Sequence, residues 1–135
     1  MYKIYLVTFT IEGKKALKIG ITSKTDVQER FQRLIDNGTI TGFKIHLTRW
    51  IDGEEAAKLK EQHCFTSMIL SFPKNNYIDK DGSHKFHNFW LKEQVGGVTE
   101  IRKYDHQEYL HAYKLVDKSG FRFYNDAIRK KVLHS

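Results

Sequence analysis

A chain of 135 residues with 40% hydrophobic and 29% charged side chains has the material for one folded domain and too little for two full ones. Its one cysteine, Cys64, excludes an internal disulfide and a Cys-rich zinc finger, and no apolar run approaches the roughly 20 residues that a membrane span needs. Lys and Arg number 23 against 16 acids, a net charge of +7, which predicts a polyanionic partner, nucleic acid before any other.

The chain opens on Tyr2 to Phe9, a β-branched and aromatic run that predicts a strand. A turn is expected at Glu12-Gly13-Lys14. Leu17 to Thr22 follows as the antiparallel partner, with Leu17, Ile19 and Ile21 on one face and Lys18 and Gly20 on the other. Thr25 and Gln28 have the spacing of a capping box, and the helix they open should stop near Asn37-Gly38. Val27, Phe31, Leu34 and Ile35 form its apolar stripe, with Arg30 at the edge of that stripe and Arg33 toward solvent. Phe43 to Trp50 predicts a third strand. Asp52 is the expected cap of a second helix reaching about Leu70.

That second helix carries an anomaly. Ala57, Cys64, Phe65 and Met68 share one face, and the position between them on that face is Glu61. A carboxylate in an apolar stripe costs several kcal/mol to bury (on the order of 3–5) unless a metal ion or an arginine meets it. A second strip through Ala56 and Leu59 leaves the choice of buried face open. Beyond it, residues 73–76 and 80–83 are loop material, and residues 90–103 have room for a short helix or strand. The tail predicts a hairpin from Tyr113-Lys114-Leu115-Val116 and Phe121-Arg122-Phe123-Tyr124. A short helix capped by Asn125 should then end in Arg129, Lys130 and Lys131.

In order and spacing these pieces resemble the GIY-YIG nuclease domain. The first motif reads Lys3-Ile4-Tyr5, and the second reads Lys18-Ile19-Gly20-Ile21-Thr22, the Lys-Ile-Gly form of a branch common among phage-type members. Thirteen residues separate Tyr5 from Lys18, Arg30 follows Gly20 by ten, and Glu61 falls where the family has its helix glutamate. The likeness spans residues 2–92. It implies an α+β fold with a central three-stranded antiparallel sheet flanked by helices. The domain would cover residues 1–103, with a basic hairpin-plus-helix extension over residues 104–135.

The function the resemblance implies is divalent-metal-dependent hydrolysis of nucleic-acid phosphodiesters, DNA favoured over RNA. Glu61 would give Mg²⁺ or Mn²⁺ its protein oxygen ligand. Arg30 would hold the phosphate with paired donors, Gly20 would allow a close approach to substrate, and Tyr5 would orient the attacking water. Lys18 stands where many members have tyrosine, and its ammonium suits phosphate binding better than proton abstraction. Lys3 replaces the motif glycine. Asn88 is the candidate for the family's polar residue after the glutamate helix, ahead of Asn75 and Asn76. Arg129, Lys130 and Lys131 are expected phosphate contacts.

Other constellations are weaker. His46 on the third strand is a second possible base. His63, Cys64, His84 and His87 have the chemistry of zinc ligands and His84–His87 a usable spacing, but Cys64 falls on the helix face assigned to the core. Trp50, Trp90, Tyr104 and Tyr113 are candidate base-stacking rings against a simpler reading as core. A catalytically inactive binding module on the same fold, acting as a regulator or inhibitor, is the alternative function. The absence of a charged-then-apolar leader and the single thiol predict a cytoplasmic protein, in the host cytoplasm if phage-encoded.

Overall fold

The computed structural model describes residues 1–11, 13–23, 27–75 and 101–119. Strands β1 (Tyr2–Ile11) and β2 (Lys14–Thr22) form a hairpin, helix α1 runs over Val27–Asp36, and strand β3 covers Gly42–Ile51. Helix α2 spans Glu54–Ser71, a 3₁₀ turn covers Pro73–Asn75, the two-residue strand β4 is Arg102–Lys103, and helix α3 is His106–Ser119. The sheet is antiparallel in the order β3-β1-β2-β4, so β1, the most apolar strand, is central. The expected three strands are therefore four. The addition is small: Ala16 and Leu17 of β2 pair with Lys103 and Arg102.

Alternation along β1 divides the core into two. Tyr5, Val7, Phe9 and Ile11 face α1, where they pack with Ala16, Val27, Phe31, Leu34 and Ile40. Ile4 and Leu6 face the other way, with Leu17, Ile19, Leu47 and Ile51, against α2 and α3. The apolar stripe of α1 is buried as its spacing predicts, through Val27, Phe31 and Leu34. It stops where Gly38 takes a left-handed φ of 81°, which returns the Gly38 and Thr39 N–H groups to the carbonyls of Ile35 and Leu34 at 3.0 and 2.8 Å. Thr25 lies outside the described residues. Helix α2 is capped by Gly53 with no side-chain bond, not by Asp52. It buries Ala57, Cys64 and Met68 and leaves Leu59 66% exposed, which settles its face.

The predicted strand at Tyr113–Val116 and the residues after it up to Ser119 are instead part of α3, so the first arm of the expected hairpin is corrected to a helix. Its phase explains why. Glu108, Ala112 and Val116 recur every fourth residue and are all buried, a helical period that a strand cannot satisfy. Asp105 caps the helix by accepting the Gln107 N–H at 2.9 Å. Glu108 meets Arg102 in a fully buried ion pair, Nε to Oε2 2.9 Å. The same guanidinium donates through Nη2 to the Phe72 carbonyl at 2.5 Å and the Met68 carbonyl at 3.4 Å, which ties β4, the end of α2 and the start of α3 together. Asn75 adds donors to Asp105 at 3.0 Å and Glu108 at 3.3 Å. Residues 120–135, with the predicted second tail strand and tail helix, lie outside the described residues.

Candidate functional site

Tyr5 and Gly20 are direct cross-strand partners, and Lys18 stands opposite Val7 on the same face. Cross-strand partners project together, so all three lie beneath α1. The Tyr5 ring lies across the bare backbone of Gly20. A Cβ there would stand 2.5 Å from Tyr5 Cζ and 3.1 Å from Lys18 Nζ, so phenol and ammonium meet over the glycine. Phe31 of α1 closes on the ring edge-on, centroid to centroid 5.8 Å at 81°. The glycine thus makes room for the tyrosine. Tyr5 is 0% exposed and Lys18 only 3%, so both sit under the surface. Gly20→Ala is expected to displace the Tyr5 ring and to cost about 1–3 kcal/mol, as overpacking of a closed core does. Urea denaturation checks it, and an unchanged midpoint contradicts the contact.

Arg30 is half-buried on α1, one residue before Phe31, and none of the ion pairs among the described residues involves it. Glu61 is half-buried on α2, between Ala57 and Cys64 on the face that packs against the sheet, as its phase predicts. The helices carrying Arg30 and Glu61 cover opposite faces of the sheet. The structure therefore gathers Tyr5, Lys18 and Gly20 under the helix of Arg30 and places Glu61 on the far layer. Asn88, Arg129, Lys130 and Lys131 lie outside the described residues. Asn75 is bonded to Asp105 and Glu108, which gives it a structural task.

A Mg²⁺ or Mn²⁺ ion prefers carboxylate oxygen and commonly takes one or two protein carboxylates, with water and phosphate completing the shell. Glu61 fits that donor chemistry as a single ligand. Among the described residues no group of three or more His, Cys, Asp or Glu side chains could hold a metal. Zinc at Cys64 fares worse: burial pushes its thiol up, against the Ser119 hydroxyl contact that lowers it, while His63 faces solvent.

His46 is more than a surface residue. β3 pairs Leu47 with Leu6 and Ile45 with Val7, so His46 is the extra residue of a β-bulge. The bulge turns it toward α3, where Nε2 meets Thr8 Oγ1 at 2.7 Å and Nδ1 meets Tyr109 Oη at 3.1 Å. Burial first, then the charges of Lys44 and Lys15, hold its pKa below the ordinary 6.5. A depressed base stabilises the fold above its ordinary pKa, and that contribution is lost as pH falls through the folded value. Wild type should thus lose stability between about pH 8 and about pH 5 more steeply than His46→Gln. Parallel urea titrations check it, and coincident pH profiles contradict it.

Sequence reading missed Arg102, Glu108 and the Tyr109–His46 bond. A signal for the helix start at Glu108 was present, since Asp105 followed three residues later by Glu108 has the form of a capping box, and none marked Arg102 as its partner. Compared with protein-family models, curated proteins and solved structures, the chain matches none of them.

Proposed function

We propose that this protein is a divalent-metal-dependent endonuclease that hydrolyses nucleic-acid phosphodiesters, DNA before RNA. The observation that carries the reading is the meeting of Tyr5, Lys18 and Gly20 under the helix of Arg30. Lys18 is only 3% exposed, so its ammonium would be a fixed cation beneath that helix. Arg30 would clamp a phosphate with paired donors, and the Lys18 charge would raise the potential around it in a low dielectric. The Tyr5 hydroxyl would orient a water beside that phosphate. A Mg²⁺ or Mn²⁺ ion would supply charge stabilisation at the phosphate and the leaving oxygen. Glu61 has the donor chemistry for that ion but lies on the opposite layer of the sheet from Arg30, which weighs toward a second reading.

A nucleic-acid-binding module without cleavage is the second reading. It is favoured by the burial of Tyr5 and by the position of Glu61 on the opposite layer. Duplex, single-stranded DNA and RNA substrates incubated with and without Mg²⁺ or Mn²⁺ separate the two. Metal-dependent product supports the endonuclease. Salt-sensitive binding without product under any metal supports the module.

A further inference from the structure

The face of the sheet under α3 carries a cluster that neither reading uses. Tyr104, Tyr109 and Tyr113 form a row, with ring centroids 6.2 Å apart from Tyr104 to Tyr109 and 6.3 Å from Tyr109 to Tyr113. His106 stacks on Tyr109 at 5.9 Å and 24°, and the His46 ring meets Tyr109 edge-on at 4.9 Å. Tyr104 and Tyr109 are partly buried against the core, whereas Tyr113, tilted 58° from Tyr109, is 37% exposed and is the ring of the row that solvent reaches. Two exposed lysines border the row. Lys15 Nζ stands 3.9 Å over the Tyr104 ring, and Lys44 is close enough to His46 to act on its charge. Asp105, the acid between Tyr104 and His106, is turned to Asn75 and to the helix N-terminus.

An exposed aromatic face beside two cations suits a polyanion that carries flat rings. We infer that this surface binds single-stranded nucleic acid, the exposed Tyr113 ring stacking on an unpaired base, Tyr104 and Tyr109 holding it in place from the core side, and Lys15 and Lys44 meeting phosphates. A duplex hides its base faces within its own stack and offers such rings nothing beyond phosphates. The row lies on the opposite face from Tyr5 and Gly20, and Lys15 pairs with Thr10, about five residues further along β1. At about 3.3 Å per residue that is about 16 Å from the Tyr5–Gly20 pair, so it is a separate contact.

The test is fluorescence anisotropy of labelled oligo-dT, oligo-rU and a duplex of equal length, with the full chain in EDTA so that cleavage plays no part. Both single strands should bind more tightly than the duplex. Tyr113→Ala should weaken single-strand binding about 5- to 150-fold while Tyr113→Phe retains it, because stacking uses the ring and not the hydroxyl. Lys44→Ala should lower the salt slope by about 0.7. Equal affinity for duplex and single strand, or a Tyr113→Ala variant that binds as wild type, overturns the inference. Preference for dT over rU, or the reverse, assigns the natural strand. Loss of plasmid cleavage with the platform intact would instead count against the endonuclease reading alone.

Discussion

Glu108→Ala is expected to destabilise the fold by about 3–5 kcal/mol, because it leaves the Arg102 charge buried without its counter-ion. Arg102 is among the largest fully buried side chains of the described residues. Its guanidinium joins the Glu108 carboxylate to the Phe72 and Met68 carbonyls, so three elements loosen together when the acid is removed. The melting temperature should fall by at least about 8 °C for a domain of this size. Pairing the change with Arg102→Met should recover part of the loss, since two apolar side chains leave no stranded charge. A Glu108→Ala variant that melts with wild type would mean that the pair is not closed in solution.

The second large effect concerns the candidate site. Arg30→Ala should lower metal-dependent cleavage about 100- to 1,000-fold, the usual loss when one charge-stabilising donor is removed. Arg30→Lys should recover little, because a point charge cannot offer the paired donors of a guanidinium. Arg30 is half-buried and belongs to none of the described ion pairs, so neither substitution should unfold the chain. Circular dichroism and melting of both variants check that. Cleavage by Arg30→Ala at the wild-type rate would remove the arginine from the mechanism.

Much of the fold was legible because its elements obey simple periods. β1 is a run of β-branched and aromatic residues, Leu17 to Ile21 of β2 alternates, α1 repeats its apolar residues at helical spacing, and Gly38 marks the stop. The buried face of α2 needed tertiary context. Two apolar strips competed, and only packing on Ile4, Leu6 and Leu17 chose the one through Ala57, Cys64 and Met68. Helix α3 was read as a hairpin because Tyr113 to Val116 has β-forming residues. Its true stripe also begins with a charged residue, Glu108, whose partner Arg102 sits in another element. An acid paired across elements breaks the apolar pattern that betrays a helix.

At the candidate site, alternation put Lys18 and Gly20 on one face, and the register adds Tyr5 to it directly across from Gly20. That the tyrosine ring fills the space over the glycine depends on side-chain packing that spacing does not contain. The same holds for His46, which points toward α3 only because a bulge inserts it between two ladder pairs. The layer on which Glu61 lies follows from how α2 crosses the sheet, a property of the connections and not of any local motif.

The most direct test of the endonuclease reading is the conversion of supercoiled plasmid to nicked and linear forms in Mg²⁺ or Mn²⁺, with wild type beside Glu61→Gln and Glu61→Ala at matched melting temperature. Wild type should nick in a metal-dependent way, and the yield should fall at least about 100-fold in both variants. Nicking by either folded variant at the wild-type rate, or the same yield in EDTA as in Mg²⁺, would contradict the endonuclease reading.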